Sequence, residues 1–488
     1  MTAVAVTDRM PGQPASGERP LAWLRERGMG ASILVASIST AFGVVLLSAT
    51  VYIGAMLQAN PYIGDSETLA VVVAILTSLL LGVAVYVAAI VTANTFATVV
   101  AGRTRRIALM RLIGASARSQ RGEVARQGLV VGAVGAVIGL VGGVALSGAG
   151  VALAGRMLDV DGIDFALIRA DLLAPAVVVA LTTWAAAWVG SRRVLTVTPL
   201  QALGGSVEVS HGAVLARTGR NITALVMLVG GAALLALGIV VGLISPLGVV
   251  IAFVGGILSF TGLALGSTLV MPPALRLVGR WFGRSAPARL AAENALRHPE
   301  RSSRMAIGVV MGVTLVTMFA VALETTKAVL VASGGGKPPA DMITVIDTFS
   351  AIMMVLVGVS AAIAAVGLVN LLTIGVVQRR RELGLLRALG VSNSQVRRMV
   401  LLEAAHITIA STLLGLVLGI AYGWAGAQSL LGSVAMPPSW MSPTFVLPAI
   451  PLWPIVAIVV ATAVLTLVAA VVPTRLATRV APVEALAE

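Results

Sequence analysis

Apolar residues in this chain run on for twenty positions or more at a time, and polar residues are confined to the intervals between these runs. A hydrocarbon core of about 30 Å takes roughly 20 helical residues to cross. Ten stretches reach that length, near residues 30–57, 68–101, 128–155, 172–191, 222–244, 248–271, 304–323, 343–377, 405–431 and 452–472. Strands of a membrane barrel would instead alternate in segments of about ten. The pattern therefore predicts an all-α integral membrane protein with ten transmembrane helices. The second and eighth stretches run about 35 residues without proline, and as helix each would be about 52 Å long and would project beyond the bilayer.

Two polar intervals break the pattern in the same way. Residues 103–121 read RTRRIALMRLIGASARSQR and residues 379–399 read RRRELGLLRALGVSNSQVRRM. In the second, Leu383, Leu386 and Leu389 share one side of a helix with Arg387 among them. Gly390 is placed to stop that helix, and Ser392 with Gln395 forms a capping box for the next one. The spacing predicts a basic, amphipathic helix, a tight turn and a second helix at the membrane surface.

Composition agrees with the membrane assignment: 58% of residues are hydrophobic, 11% are charged and mean hydropathy is +1.00, far from the averages of soluble domains. Cysteine is absent, which removes disulfides, thiol nucleophiles and Cys-based metal sites. His211, His298 and His406 are scattered without metal-ligand spacing. Residues 1–20 lack an apolar core followed by a cleavage site, so they read as a disordered cytosolic tail.

Charge sets the orientation, because Lys and Arg favour cytoplasmic loops. With ten spans, all but Arg156, Arg169, Lys327 and Lys337 of the 34 basic residues fall on the side that holds both termini. The opposite side carries Asp159, Asp161, Asp164 and Asp341, among other acids. The formal net charge of +14 is thus a signature of topology. Nucleic-acid binding is not indicated, since the basic residues are not interleaved with stacking aromatics.

An internal repeat joins the two basic intervals. At a constant offset of 276, Asn94 pairs with Asn370, Arg103 with Arg379, Arg105 with Arg381, Leu109 with Leu385, Arg111 with Arg387, Gly114 with Gly390 and Ser116 with Ser392. Further on, Arg192 pairs with Arg475, Pro199 with Pro482 and Leu203 with Leu486 at an offset of 283. A duplication accounts for both blocks. It divides the chain into a first four-helix repeat at 20–205, a segment at 206–287 carrying spans five and six, and a second four-helix repeat at 288–488. Both repeats start on the same side, so they are parallel copies, and both basic elements lie on one face. Two equivalent docking points suit a partner with two equivalent subunits.

The run RRRELGLLRALGVSNSQVRRMVLLE, the upstream LAAENALRHPERSSRMAIGVVMGVTLV and the closing RLATRVAPVEAL resemble the FtsX-like permease domain of ABC transporters, the group containing MacB- and LolC/E-type permeases. The 4+2+4 arrangement of spans is similar to the bacitracin-export type within that group. The resemblance implies a multi-pass subunit of the bacterial plasma membrane, with both termini cytoplasmic, whose elements between the second and third spans of each repeat couple to a separate P-loop ABC ATPase dimer. It carries that coupling role to Arg381, Glu382, Arg387 and Gly390, and through the internal repeat to Arg105, Arg111 and Gly114. ATP and Mg would be bound by the partner, with no cofactor in this chain. The nearest approach to a phosphate loop, SGGGKPP, places proline after Lys337 and lacks the P-loop glycine spacing. There are departures from the family: Arg106 stands where the second copy has Glu382, and only residues 324–342 join spans seven and eight, where bacitracin-type relatives have a large extracytoplasmic domain.

Two other functional classes would need features of their own. An ion-coupled transporter would place ionisable groups inside the membrane; the candidates are Glu324, Glu403 and His406, the last two one helical turn apart. A non-transporting FtsX-like scaffold or signalling subunit would want the missing extracytoplasmic domain. In span three, Gly132, Gly135, Gly139, Gly142 and Gly143 form a small-residue face suited to close helix packing. The last outward loop contains Trp440, Phe445 and Trp453, which suit either interfacial anchoring or a lateral gate. With no charged pore and no capture domain, the favoured substrate is amphipathic or lipid-soluble, taken from the membrane lipids and exported.

Overall fold

The computed structural model describes residues 29–58, parts of 71–93, 109–110, 114, 116–158, 165–191, 218–281, 285–297, 299–333, 385 and 387–433, and 445 and 447–479. Among these residues all regular structure is helical. The main helices are α1 (Met29–Gln58), α2 (Ala117–Leu158), α3 (Leu173–Gly190), α4 (Thr218–Gly242), α5 (Gly248–Leu265), α6 (Ser267–Gly279), α7 (Ala286–Arg297), α8 (Pro299–Ser333), α9 (Asn393–Leu431) and α10 (Leu452–Arg479).

Seven helical segments are long and apolar enough to cross a membrane: 32–56, 118–153, 170–190, 219–242, 248–265, 305–329 and 393–431. They correspond to the predicted first, third to seventh and ninth spans. Shorter apolar helices at Thr77–Val87 and Leu452–Val468 occupy the second and tenth positions. The eighth predicted span, the N-terminal tail and the loop at 334–342 lie outside the described residues. The third and ninth spans begin about 11–12 residues earlier than hydropathy alone suggests. No proline or glycine pair interrupts 117–128 or 393–405, so each helix that follows a basic turn is continuous with its span.

The outer helices form two similar groups. In the first, α1 packs on α2, α2 on α3 and α1 on α3; in the second, α8 packs on α9, α9 on α10 and α8 on α10. Glycine brings the paired backbones close. Gly135, Gly139 and Gly143 of α2 lie against α1, and Gly415, Gly419 and Gly423 of α9 lie against α8. The predicted glycine face of span three is divided by the structure. Gly132 meets Ala180 and Thr183 of α3, whereas Gly142 faces open space. A buried cluster joins the groups, with Val35, Phe42 and Leu46 of α1 beside Ile307, Val310, Met311 and Leu315 of α8, together with Leu80, Val87, Phe260 and Leu263.

Helices α4 and α5 form a hairpin through a second set of glycines. Gly231 sits on Gly255 and Ser259, Gly238 on Ala252, and Gly262 on Ala224, Met227 and Leu228. The hairpin leans on α9, where Gly242 meets the Ser429 backbone and the Ser259 and Tyr422 hydroxyls are 2.7 Å apart. Towards the first group, the Tyr86 hydroxyl is 2.8 Å from that of Thr261 and 3.2 Å from the Ile257 carbonyl.

The predicted sixth span ends at Gly266, where the chain turns into the amphipathic α6. Its inner residues Met271, Leu275 and Val278 pack into a core with Met305, Val309, Ala404 and Ile407. Arg220, at the start of α4, donates to Thr268 Oγ1 at 3.0 Å. Helix α7 then runs onto the beginning of α9, and Ser302 Oγ donates to the Ala295 carbonyl at 2.7 Å to close the turn into α8.

Candidate functional site

Among the described residues, each of the two predicted basic turns carries a left-handed glycine followed by a serine cap. In the second, the Leu389 N–H donates to the Leu385 carbonyl at 2.9 Å and the Gly390 N–H to the Arg387 carbonyl at 3.1 Å, which ends the helix. Gly390 then adopts φ 98°, a left-handed conformation that costs an L-residue about 1–2 kcal/mol. Ser392 is extended at φ −69°, ψ 155°. Its Oγ accepts from the Gln395 N–H at 3.2 Å, while Gln395 Oε1 accepts from the Ser392 N–H at 2.9 Å. The capping box read from the sequence is thus present, and α9 starts at a fixed angle to the helix before it.

In the first half Gly114 has φ 104°. Ser116 Oγ accepts from the Ser119 N–H at 3.1 Å, and the Gln120 N–H donates to the Ser116 carbonyl at 3.1 Å. Ser119 stands where the second half has Gln395, and its side chain is too short to reach back to the cap. Leu109, Leu385 and Leu389 are exposed, and Arg387 is half-buried. Arg105, Arg111, Arg381 and Glu382 lie outside the described residues. Among the described residues, the two turns thus share a left-handed glycine followed by a serine cap, and the equivalent residues Leu109 and Leu385 are both exposed.

Their supports differ. Behind the second turn, Val391 packs against a cluster of Ala291 of α7 with Val396, Met399 and Val400 of α9. The equivalent α2 positions of Val396, Met399 and Glu403 are Gln120, Glu123 and Gln127. There Glu123 pairs with Arg126 at 3.0 Å and accepts from Gln127 at 3.1 Å. The first turn is instead tied to the end of α3, with the Arg121 guanidinium 3.8 Å over the Trp188 ring and its Nε donating to the Trp188 carbonyl at 3.4 Å. Neither Trp188 nor Asn294 stood out in the sequence. The signal for Asn294 is a polar residue on the inner face of a short amphipathic helix.

Glu403 and His406 are both buried. Glu403 accepts from Asn294 Nδ2 of α7 at 2.7 Å, and His406 Nε2 donates to the Leu275 carbonyl of α6 at 2.6 Å. This turn of α9 is therefore bonded to two neighbouring helices. At the other end of the bundle, Phe445 lies edge-on to Trp424, with centroids 5.7 Å apart. Phe445 and Trp453 are exposed, and Trp440 lies outside the described residues. Trp424, which nothing in the sequence singled out, lies near the C-terminal end of α9, and aromatics near the ends of membrane helices commonly act as interfacial anchors. Among the described residues, no three His, Cys, Asp or Glu side chains gather as metal ligands.

Comparison with known proteins bears on both turns. A model of the FtsX-like permease C-terminal region matches residues 78–199 and 354–482, together about half of the chain. The matched segments begin 276 and end 283 residues apart, the two offsets of the internal repeat. The chain is 34% identical over 143 residues to a macrolide export ATP-binding/permease protein, MacB, of Rhodopirellula baltica, covering 29% of this chain and 19% of that protein. In Bacillus subtilis it is 31% identical over 112 residues to an uncharacterised ABC transporter permease, YknZ, covering 23% and 25% of the two chains. It is 37% identical over 79 residues to the ABC transporter permease YtrF, also of Bacillus subtilis, covering 16% and 17%. Each alignment spans a quarter or less of the relative's length.

Proposed function

Since the chain belongs to the FtsX-like permease family, we propose that it is the membrane subunit of an ABC transporter whose ATP is hydrolysed by a separate P-loop ATPase dimer. The dimer docks on the two basic turns. Arg105, Arg111 and Gly114 form one contact, and Arg381, Glu382, Arg387 and Gly390 form the other. Both termini are cytoplasmic, in a bacterial plasma membrane. The chain divides into repeats at 20–205 and 288–488 around spans five and six, in a 4+2+4 arrangement of ten spans. ATP and Mg belong to the partner.

The observation that carries this reading is the match between Gly114 at φ 104° and Gly390 at φ 98°. Two left-handed glycines, each followed by a serine-capped helix and 276 residues apart, suit a partner with two equivalent subunits. Closure of that partner would push on the starts of α2 and α9, and each is one rigid helix through to the far side of its span.

The substrate is amphipathic or lipid-soluble and is exported or extracted from the membrane. Support comes from the exposed aromatic side chains of Phe445 and Trp453, which suit contact with an apolar substrate. Ion coupling is disfavoured because the buried pair it would use, Glu403 and His406, is already engaged by Asn294 and the Leu275 carbonyl.

The test is co-purification from native membranes, comparing the unaltered chain with Arg111→Glu plus Arg387→Glu. A P-loop ATPase recovered at two per permease and released by the double substitution supports the reading. Recovery of no ATPase, with only membrane association altered, sinks it.

A further inference from the structure

Helix α6 carries two parallel ridges on its outward side. Arg276 and Arg280 are exposed, four residues apart, and Leu277 and Trp281, also four apart, are exposed beside them. Residues at this spacing stack along a helix face, so a charged ridge runs next to an apolar one. The opposite side, with Met271, Leu275 and Val278, is buried against α8 and α9. Residues 266–292 contain Arg276, Arg280, Arg284 and Arg289 and no Asp or Glu. No ion pair engages Arg276 or Arg280 among the described residues.

The position of α6 decides what covers these ridges. Helix α5 is a membrane-crossing segment that ends at Leu265, and a single residue, Gly266, separates it from α6. The Arg220–Thr268 bond at 3.0 Å holds the start of α6 to the start of the neighbouring span, α4. The helix therefore lies at the membrane boundary. An interfacial helix buries its apolar side at the edge of the acyl chains and turns its basic side to the headgroups, and anionic headgroups attract basic residues at the cytoplasmic surface. Leu277 with Trp281 and Arg276 with Arg280 supply those two sides.

We propose that the outer face of α6 is a binding site for anionic phospholipid, in which Arg276 and Arg280 hold the headgroup phosphate and Leu277 and Trp281 rest against the acyl chains. The inner side of the same helix gives the Leu275 carbonyl to His406, one turn from Glu403 on α9. Gly279 of α6 also lies against the His406 ring. A lipid that fixes α6 thus fixes the cytoplasmic end of α9 and, on the reading above, the second coupling turn. The lipid site itself needs no ATPase, so its test stands apart from that reading.

The full chain is reconstituted in nanodiscs of phosphatidylcholine alone and of phosphatidylcholine with phosphatidylglycerol, and thermal unfolding is followed. Phosphatidylglycerol is expected to raise the Tm of the unaltered chain. Arg276→Gln plus Arg280→Gln should lose most of that shift, whereas Arg118→Gln plus Arg126→Gln, an equal charge change on α2, should keep it. Phosphatidylglycerol brominated on its acyl chains should quench tryptophan fluorescence less in Trp281→Phe than in the unaltered chain. Equal loss of the Tm shift in both double variants reduces the effect to net charge and overturns the proposal. A Tm shift of the same size with inorganic phosphate in phosphatidylcholine nanodiscs would assign the site to a free anion. Release of a co-purifying ATPase by the α6 variant, with the lipid response intact, would assign it to protein docking. Either result overturns the lipid site.

Discussion

Gly139 of α2 and Gly415 of α9 meet their partner helices at the same register. A Cβ on Gly139 would lie against the Ser37 carbonyl oxygen and 2.6 Å from Thr40 Cβ, and one on Gly415 would lie 3.0 Å from the Val310 carbonyl oxygen and 2.8 Å from Val313 Cβ. One turn on, Gly143 meets Ala41 and Val44 while Gly419 meets Thr314 and Thr317. The glycines are 276 residues apart and their partners 273. The sequence of α1 bears little likeness to that of α8, yet the contact register is the same, because the equivalent glycines are where the backbones approach most closely.

This register predicts opposite outcomes for neighbouring glycines. Gly139→Ala and Gly415→Ala each force a methyl group into a backbone contact and should lower stability by about 1–3 kcal/mol, as overpacking does. Gly142→Ala, three residues along and facing open space, should be neutral or stabilising by up to about 1 kcal/mol through helix propensity. Thermal unfolding of the three variants in one detergent checks this. Equal behaviour of Gly139 and Gly142 would refute the assigned crossing.

At the turns, a β-branched residue cannot adopt the conformation of Gly390 cheaply. Gly390→Val should therefore distort the second turn while leaving membrane insertion intact, and Gly390→Asn should be milder, since Asn tolerates left-handed geometry. The readout is the amount of ATPase that co-purifies, with total permease as the reference. The order unaltered, Asn, Val is expected at both Gly390 and Gly114.

The two caps should differ in strength. Ser392→Ala removes a complete capping box and should destabilise the first turn of α9 by about 1 kcal/mol. Ser119→Gln gives the first half the side chain it lacks. Amide hydrogen exchange at residues 117–120 is expected to slow in Ser119→Gln and at 393–396 to quicken in Ser392→Ala. Unchanged exchange at 117–120 would mean that the introduced glutamine does not reach the Ser116 N–H.

Much of this was legible in the primary structure, and the reasons are local. Apolar runs announce spans because lipid offers no hydrogen bonds to a bare backbone, and the Gly and Ser positions of the turns announce themselves through steric and capping rules. What could not be read was pairing across helices. Arg121 belongs over Trp188, and Asn294 belongs to Glu403, through contacts 67 and 109 residues apart in sequence. The break at Gly266 was also hidden, since hydropathy continues past it into Leu269, Val270 and Met271. The same glycine face that looked uniform in sequence splits between α1, α3 and open space, because a helix has only about 3.6 residues per turn to distribute among its neighbours.

The bond between Asn294 and Glu403 yields the last prediction. Asn294→Leu removes the donor and leaves a carboxylate at 5% exposure without that partner, a change worth about 1–3 kcal/mol. Because α7 packs on α9 through Ala291 and this bond, its loss should free α7 first. Limited proteolysis is expected to cut within 286–297 in Asn294→Leu and not in the unaltered chain. Glu403→Gln keeps an acceptor at that position and should preserve both the protection and any ATP-driven activity. Were Glu403 a proton carrier, Glu403→Gln would instead abolish activity with α7 still protected, so the two measurements together separate a structural clamp from a relay.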